Sequence, residues 1–293
     1  MNIPVYIRRR FGLVATVIAC AVSAPVLASE SVHLDKFPTE KMQSMPALQD
    51  GARTFVNYCL NCHSASMMRF NRLQDIGLTD EQISGSLQFT EGRVGDLMKV
   101  AMRHEDGKAW FGAAPPDLSV EARARASESG SGADWIYTYL RSYYRDGSRE
   151  TGWNNAIFPN VGMPNPLWQW QGMRGAVEER LAPVTDEATG KVTGWTKTTI
   201  TYDREGNKSE KVENVSGDNL HEGTHFTLGK AEGGTLSQAE FDDKVANLVA
   251  FMKFMSDPSA STRGRLGIWV LLFIALFVGC TWWLNREYWK DVK

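Results

Sequence analysis

Cys59-Leu60-Asn61-Cys62-His63 is the stretch that decides the architecture of this chain. It has the form C-x-x-C-H, in which two thiols lie about one helical turn apart and an imidazole follows the second thiol directly. This spacing is typical of a c-type haem site, because the two thiols add to the two vinyl groups of one porphyrin and the histidine reaches the iron. The motif therefore predicts one haem c attached through Cys59 and Cys62, with His63 as an axial ligand.

Two other kinds of site also use the C-x-x-C spacing. A thiol–disulfide redox pair is typical of a βαβ environment, and the flanks of the motif show no such pattern. A structural zinc site needs two further cysteines or histidines at matching spacing. The other two of the 4 cysteines, Cys20 and Cys280, lie in apolar stretches near the ends of the chain. The histidine after the second cysteine therefore favours haem, and we expect no structural disulfide.

The first 28 residues have the pattern of a secretory signal peptide. Three arginines at positions 8–10 precede an apolar region at 11–22, and Val26-Leu27-Ala28 offers small residues for cleavage. An uncleaved N-terminal anchor is the alternative, although Pro25 and the cleavage site argue against it. The pattern predicts export of the residues that follow, which would place the haem domain in the periplasm.

A second apolar run covers residues 266–284, which carry no charge and are just long enough to cross a bilayer. Aromatic residues lie near both of its ends, as they do at membrane interfaces: Trp269, Trp282, Trp283, Tyr288 and Trp289. We expect a signal peptide at 1–28, a periplasmic c-type haem domain at 29–261, and a transmembrane anchor with a short cytoplasmic tail at 262–293. The protein would thus be a single-pass protein of the inner (plasma) membrane.

The charge of the chain excludes one class of function. It has 32 basic and 34 acidic side chains, and the predicted signal would remove three of the arginines. A mildly acidic domain gives no electrostatic attraction for nucleic acid and suits a basic docking partner.

Hydrophobic periodicity predicts a mainly α domain. Apolar residues recur at helical spacing in four segments, and Ser237 with Glu240 forms a capping box before the longest of them. Alternating Thr, Val, Ile and Tyr residues instead predict a surface β-hairpin. The predicted helices are 47–58, 93–102, 134–144 and 237–255, and the predicted strands are 192–203 and the residues from 208 to Val215.

An electron-transfer haem needs a second axial ligand, for which a methionine sulfur favours ferrous iron. Most of the 11 methionines lie among apolar residues at helical spacing and are better explained as core residues. Met163 differs because it lies in Pro159-Asn160-Val161-Gly162-Met163-Pro164, a stretch that can form neither a helix nor a central strand. From the residues alone, Met163 is either this ligand or a surface-loop methionine, and another distal ligand stays open.

Taken together, these motifs make the chain similar to the cytochrome c1 family, the haem subunits of cytochrome bc1 complexes (ubiquinol:cytochrome c reductase), in their bacterial form. The matching features run in order from the signal and C-x-x-C-H to the C-terminal anchor. Between them lie Pro115-Pro116-Asp117-Leu118-Ser119, Arg123-Ala124-Arg125 and Gly162-Met163-Pro164.

The resemblance implies a class I cytochrome c-like haem domain. It assigns Met163 as the distal ligand, Pro116 to the wall of the haem pocket, and Arg125 to the neighbourhood of a haem propionate, where a guanidinium suits a carboxylate. The alternative for Arg125 is a solvated helix charge. Residues 174–234, which include the hairpin, do not match the family's core pattern and are expected to be an insertion.

The resemblance also implies a function and partners. The chain would pass single electrons from the Rieske iron–sulfur protein to a soluble periplasmic cytochrome c, beside cytochrome b, in a complex that is dimeric in this family. It would be an electron-transfer subunit of an oxidoreductase without substrate turnover of its own. The alternatives are a tethered c-type cytochrome of another respiratory complex, such as a terminal oxidase or reductase, and an enzyme with an open haem site.

One further motif needs to be weighed. His221-Glu222-Gly223-Thr224-His225 matches H-E-x-x-H, which binds zinc when a helix brings both imidazoles to one face. Glycines within and around this stretch disfavour a helix, so the sequence argues against a zinc protease.

Overall fold

The computed structural model describes residues 33–89, 92–186, 192–217 and 220–291. The predicted signal peptide lies outside the described residues. The rest is mostly helical with some sheet, in which one large hydrophobic core is formed by helices and their connecting loops.

In the described part of the chain, six short α-helices precede two long C-terminal ones. They are α1 (Met45–Thr54), α2 (Asp80–Ser86), α3 (His104–Phe111), α4 (Glu121–Ala124), α5 (Gly132–Leu140), α6 (Trp168–Gln171), α7 (Gln238–Ser256) and α8 (Ala260–Tyr288). Two 3₁₀ helices, Thr39–Gln43 and Phe70–Ile76, and a π-helical turn at Phe55–Cys59 complete them.

Within the described residues, the strands form three antiparallel sheets. They are β1 (Ala65–Arg69), β2 (Leu97–Met98), β3 (Tyr143–Arg145), β4 (Trp153–Asn155), β5 (Ala176–Thr185), β6 (Val192–Tyr202), β7 (Lys208–Val215) and β8 (Gly223–Leu228). The first two sheets have two strands each, and the third has four strands in the order β7-β6-β5-β8.

The packing of α1 against α7 forms the centre of the core. A Cβ atom on Gly51 would lie 2.0 Å from the Asn247 carbonyl oxygen, so only glycine lets the two backbones approach this closely. The predicted capping box at the start of α7 is confirmed, with both Ser237 and Glu240 bonding across the first turn. Nearly every residue of α7 from Val245 to Ser256 is buried, which makes this helix the scaffold of the domain.

The helix predicted at 93–102 is wrong. Asp96 instead closes a tight turn, in which its carboxylate accepts from the Arg93 N–H at 2.8 Å and its own N–H donates to the Arg93 carbonyl. Such local side-chain bonds compete with a helix. The chain leaves the turn as β2, which pairs with β1, and Met98 is the fully buried residue of the segment.

The helix predicted at 134–144 ends earlier than expected. It begins after Ser131, which forms a capping box with Asp134, and ends at Leu140. Tyr143 and Tyr144 belong instead to β3, where both side chains are buried. They face different clusters, since Tyr143 lies in the main core and Tyr144 packs under the four-stranded sheet.

The expected surface hairpin forms half of a larger sheet. Its two strands are β6 and β7, but β6 also pairs along its full length with β5, and β5 pairs with β8. Only the inner end of the sheet contacts the domain, through Tyr144, Ala176, Ile200 and Tyr202. The description as an isolated hairpin therefore needs correction, and an insertion at 174–234 stays a prediction.

The H-E-x-x-H segment is not helical. His225 lies in β8, and His221 precedes the strand in a loop. Within the described ranges, no group of three His, Cys, Asp or Glu side chains is placed to hold a metal ion. The zinc-protease alternative has no support in the fold.

One described helix is long and apolar enough to cross a membrane. This candidate span covers Thr262–Tyr288, 27 residues, and its most apolar 18-residue window has a mean hydropathy of 2.1 and is not buried against the rest of the described chain. Its length and composition agree with the predicted anchor at 262–293.

Candidate haem site

Four separate parts of the chain surround one cavity of about 450 Å³, a size that suits a bound organic group. They are the C-x-x-C-H turn, the segment that contains Pro115 and Pro116 together with α4, helix α5, and the loop around Met163. Met252 of α7 closes the inner side. All six residues that the sequence singled out line this cavity: Cys59, Cys62, His63, Pro116, Arg125 and Met163.

The C-x-x-C-H turn follows directly from α1 and the π-helical turn. The Cys59 carbonyl accepts hydrogen bonds from the backbone N–H groups of Cys62, at 3.1 Å, and His63, at 2.9 Å. This tight turn brings both sulfur atoms and the imidazole to one wall of the cavity. Covalent attachment of a haem needs both thiols and the imidazole at the same cavity.

The cysteines are not suited to thiol–disulfide chemistry. They form no disulfide with each other, and burial raises the pKa of the Cys59 thiol to about 12, with the nearby Cys62 adding to the shift. Burial raises the pKa of Cys62 as well. A redox-active cysteine needs the opposite, a lowered pKa that yields a thiolate at neutral pH.

The imidazole of His63 is buried and held in one tautomer. Its Nδ1–H donates to the Pro116 carbonyl oxygen at 2.8 Å, which leaves Nε2 unprotonated and available to a metal. Burial lowers the pKa of His63, and the bond to Pro116 only partly opposes this, so the neutral ring is favoured. Pro116 thus contributes a carbonyl oxygen as well as part of the wall.

The Pro-Pro-Asp-Leu-Ser segment forms hydrogen bonds with the residues that follow His63. The Leu118 N–H donates to the Ser64 carbonyl at 2.8 Å. The Asp117 carboxylate accepts from the Ser66 N–H at 2.8 Å, and the Ser119 hydroxyl accepts from the Met67 N–H at 3.0 Å. The polar side chains of this segment thus serve to bind backbone N–H groups next to the apolar cavity.

The Met163 loop faces the cavity from another side. Gly162 lies against α3, where a Cβ atom would be 2.7 Å from the Phe111 carbonyl oxygen. On its other side, Asn165 is buried and caps the start of the next turn by accepting from the Leu167 N–H at 3.0 Å. The loop therefore packs against α3 before Met163 and is closed by a hydrogen bond after it, which restricts the position of the Met163 sulfur.

Two tyrosines that the sequence analysis did not assign to the site orient Met163. The Tyr139 hydroxyl donates to Met163 Sδ at 3.6 Å and accepts from the Tyr143 hydroxyl at 2.7 Å. Burial raises the pKa of both phenols, so they remain protonated donors at neutral pH. No local motif in the sequence reveals the contact between the Tyr139 hydroxyl and the Met163 sulfur.

Arg125 also lines the cavity, but its nearest partner was not expected. Its Nε donates to the Glu121 carboxylate at 2.5 Å, and its guanidinium carbon lies 4.5 Å from the centre of the Trp135 ring. Glu121 lines the cavity too. The i,i+4 spacing of Glu121 and Arg125 is the sequence signal that could have revealed this pair.

The residues fit a covalently bound haem. Two sulfur atoms and an imidazole with a free nitrogen line one side, a thioether sulfur lines another, and a guanidinium is available for a carboxylate. The remaining lining is largely apolar and aromatic, as a haem pocket requires. The donor set of one imidazole and one thioether is that of a closed electron-transfer haem.

Comparison with known proteins identifies the family of the chain. A sequence model of the cytochrome C1 family matches residues 37–174, a range that contains all six predicted site residues. The chain is 39% identical over 272 residues, 92% of its length and 94% of the relative's, to a protein of Nitrosomonas europaea named ammonia monooxygenase gamma subunit. It is 34% identical to cytochrome c1 of Allochromatium vinosum, over 96% of this chain and 98% of that one.

Proposed function

The chain belongs to the cytochrome c1 family, and we propose that it passes single electrons from a Rieske iron–sulfur protein to a soluble cytochrome c. As a family member it carries one covalently attached haem c and is a membrane-anchored c-type cytochrome of a bc1-like complex. The observation that carries the proposal is that His63 and Met163 line the same cavity, since with both bound to the iron no position would be left there for a substrate.

In this proposal each lining residue has a distinct task. Cys59 and Cys62 would hold the haem through two thioether bonds, and His63 and Met163 would bind its iron. The bound haem supplies the one-electron couple of its iron. The bond from His63 to Pro116 holds the imidazole at a fixed orientation, and the bond from Tyr139 does the same for the sulfur.

The pocket walls set the environment in which the electron is gained and lost. Aromatic and aliphatic side chains exclude water from the metal, and low polarity disfavours the more highly charged ferric state. Arg125 is proposed to bind a haem propionate through a charge-assisted hydrogen bond. Because the His63 imidazole and the Met163 sulfur are each held by a hydrogen bond, these two side chains would need little movement when the electron is gained or lost.

We also propose the topology that this route requires. The signal at 1–28 directs residues 29–261 to the periplasm, where soluble electron carriers are found. Helix α8 then anchors the domain beside cytochrome b, and the tail remains cytoplasmic. Small residues of α8, including Gly267 and Gly279, permit close contact with neighbouring helices.

The decisive experiment is purification of the native complex through an affinity tag on the C-terminus. Mass spectrometry is expected to detect cytochrome b and a Rieske protein, and addition of a quinol should reduce the haem c of the complex. A complex that holds the haem protein without these two subunits would support a tethered cytochrome of another respiratory complex instead. The name of the Nitrosomonas relative makes an oxygenase complex one such outcome.

A further inference from the structure

The haem cavity contains an acidic side chain that the proposed function does not use. Glu121 lines the cavity, and its side chain is 15% exposed. A carboxylate in a pocket that is to receive two propionates adds to the negative charge there, which is costly unless it has a task. Among the described residues, the hydrogen-bond partner of its side chain is Arg125, and the pair is where a task is to be sought.

The pair has a geometry that leaves part of Arg125 free. Glu121 is the first residue of α4 and Arg125 follows its last residue, so the short helix sets their separation. The carboxylate accepts from Nε at 2.5 Å. Across the described chain no hydrogen bond uses the two terminal nitrogens of Arg125, which remain available for a second, planar acceptor.

The same guanidinium lies over an aromatic ring. Its central carbon lies 4.5 Å from the Trp135 ring centre, and Trp135 in turn stacks on Tyr139 at 4.8 Å with an interplanar angle of 12°. Tyr139 is the donor to the Met163 sulfur. A continuous stack therefore links Arg125 with the group that orients the proposed distal ligand.

We propose that Glu121 is a positioning residue of the haem pocket, which holds Arg125 Nε so that its terminal nitrogens meet a haem propionate. The negative charge of Glu121 also makes the iron easier to oxidise, because it offsets the positive charge that Arg125 brings. This inference rests on the proposed placement of the haem. Without Glu121, the arginine side chain is free to leave the pocket for solvent, since it is already 38% exposed.

Midpoint potentials of the purified, haem-loaded membrane protein test the placement of Arg125 and the effect of the negative charge of Glu121. Arg125→Gln removes the positive charge and is expected to lower the potential. Glu121→Gln keeps the acceptor but removes the negative charge, and is expected to raise it. For each, we expect the ferrous-to-ferric ratio at a fixed potential to change about threefold or more, which is about 28 mV at 59 mV per decade.

The positioning role is tested by a double-mutant cycle. Once Glu121→Ala has released Arg125, adding Arg125→Gln is expected to shift the potential by less than half of its effect in the wild type. If Glu121→Ala loses haem, Glu121→Asn, whose side chain is too short to reach Nε, takes its place. Asp75→Asn is the matched control, because Asp75 pairs with Arg72 on the surface and away from the cavity.

The possible results distinguish a failure of the role proposed for Glu121 from a failure of the proposed placement of Arg125 beside the haem. Equal, non-zero shifts from Arg125→Gln in both backgrounds would overturn the positioning role of Glu121 while leaving Arg125 beside the propionate. No shift from Arg125→Gln in the wild type would overturn the placement of Arg125 and, with it, the role of Glu121. An unchanged or lowered potential in Glu121→Gln would overturn the effect of the charge.

Discussion

Tyr139→Phe isolates one hydrogen bond of the haem pocket. The substitution removes the hydroxyl that donates to Met163 Sδ at 3.6 Å and keeps the ring that stacks on Trp135 at 4.8 Å. The Tyr143 hydroxyl, which loses Tyr139 as its acceptor, lies 3.3 Å from the Met163 carbonyl and can donate there. We therefore expect the variant to fold, with a Met163 sulfur that no longer accepts a hydrogen bond from residue 139.

The sign of the effect follows from the direction of the O–H dipole. A donor to sulfur places positive charge near the metal and disfavours ferric iron, so its removal should lower the midpoint potential. A net hydrogen bond is worth about 0.5–1.5 kcal/mol, and a long bond to sulfur belongs at the lower end. With 1.4 kcal/mol equal to 59 mV for one electron, we expect a decrease of about 20 mV.

Spectroelectrochemical titration measures this decrease, and the sulfur-to-iron charge-transfer band of the ferric state reports whether Met163 is still bound. Because burial raises the pKa of Tyr139, its proton stays in place near neutral pH and the decrease should not depend on pH there. Tyr137→Phe is the matched control, since Tyr137 lies on the same helix but does not line the cavity. A potential that rises, or that stays unchanged with the band intact, would refute the reasoning.

Three further changes address other parts of the domain. Met163→Leu is expected to keep the covalent haem, lower the potential and let carbon monoxide bind the reduced protein; rapid binding by the wild type would instead assign another distal ligand. Asp117→Ala removes the acceptor of two backbone N–H groups and should cost about 1–3 kcal/mol in urea denaturation, with Asp75→Ala as a surface control. Burial raises the pKa of Asp50, but hydrogen bonds from Lys244 and Asn247 outweigh it, so the net pKa is lowered. Its stabilisation is therefore present above the ordinary pKa of 3.8 and is lost as the pH falls through the folded-state value, and Asp50→Asn should flatten the acid limb of a stability–pH curve.

Local chemistry explains which parts of the fold could be predicted. The capping box at Ser237 and the turn at Cys59–His63 depend on residues within a few positions of one another, and both are present as expected. A local interaction also explains the wrong helix at 93–102. There the apolar spacing was compatible with a helix, but the Asp96 carboxylate stabilised a turn, a competition that periodicity does not include.

Long-range contacts explain what could not be predicted. Each of the four strands β5–β8 buries few side chains, because only the inner end of the sheet reaches the domain, and so β5 and β8 show no clear alternation of apolar residues. The pairing of Tyr139 with Met163 depends on where a loop crosses helix α5, 24 residues away along the chain. The resemblance to a family could assign Met163 but gave no reason to expect its donor.

The two sides of the haem pocket are built differently, and this difference should separate stability from potential. The His63 side is held by backbone groups: the Pro116 carbonyl, the Leu118 N–H and the N–H groups of Ser66 and Met67 all take part in bonds across some fifty residues of sequence. On the Met163 side the sulfur is oriented by a side-chain hydroxyl. Changes on the first side break bonds between distant parts of the backbone and should destabilise the domain before they alter the ligand. Changes on the second side remove one weak bond each, so selection can adjust the potential there at little cost in stability.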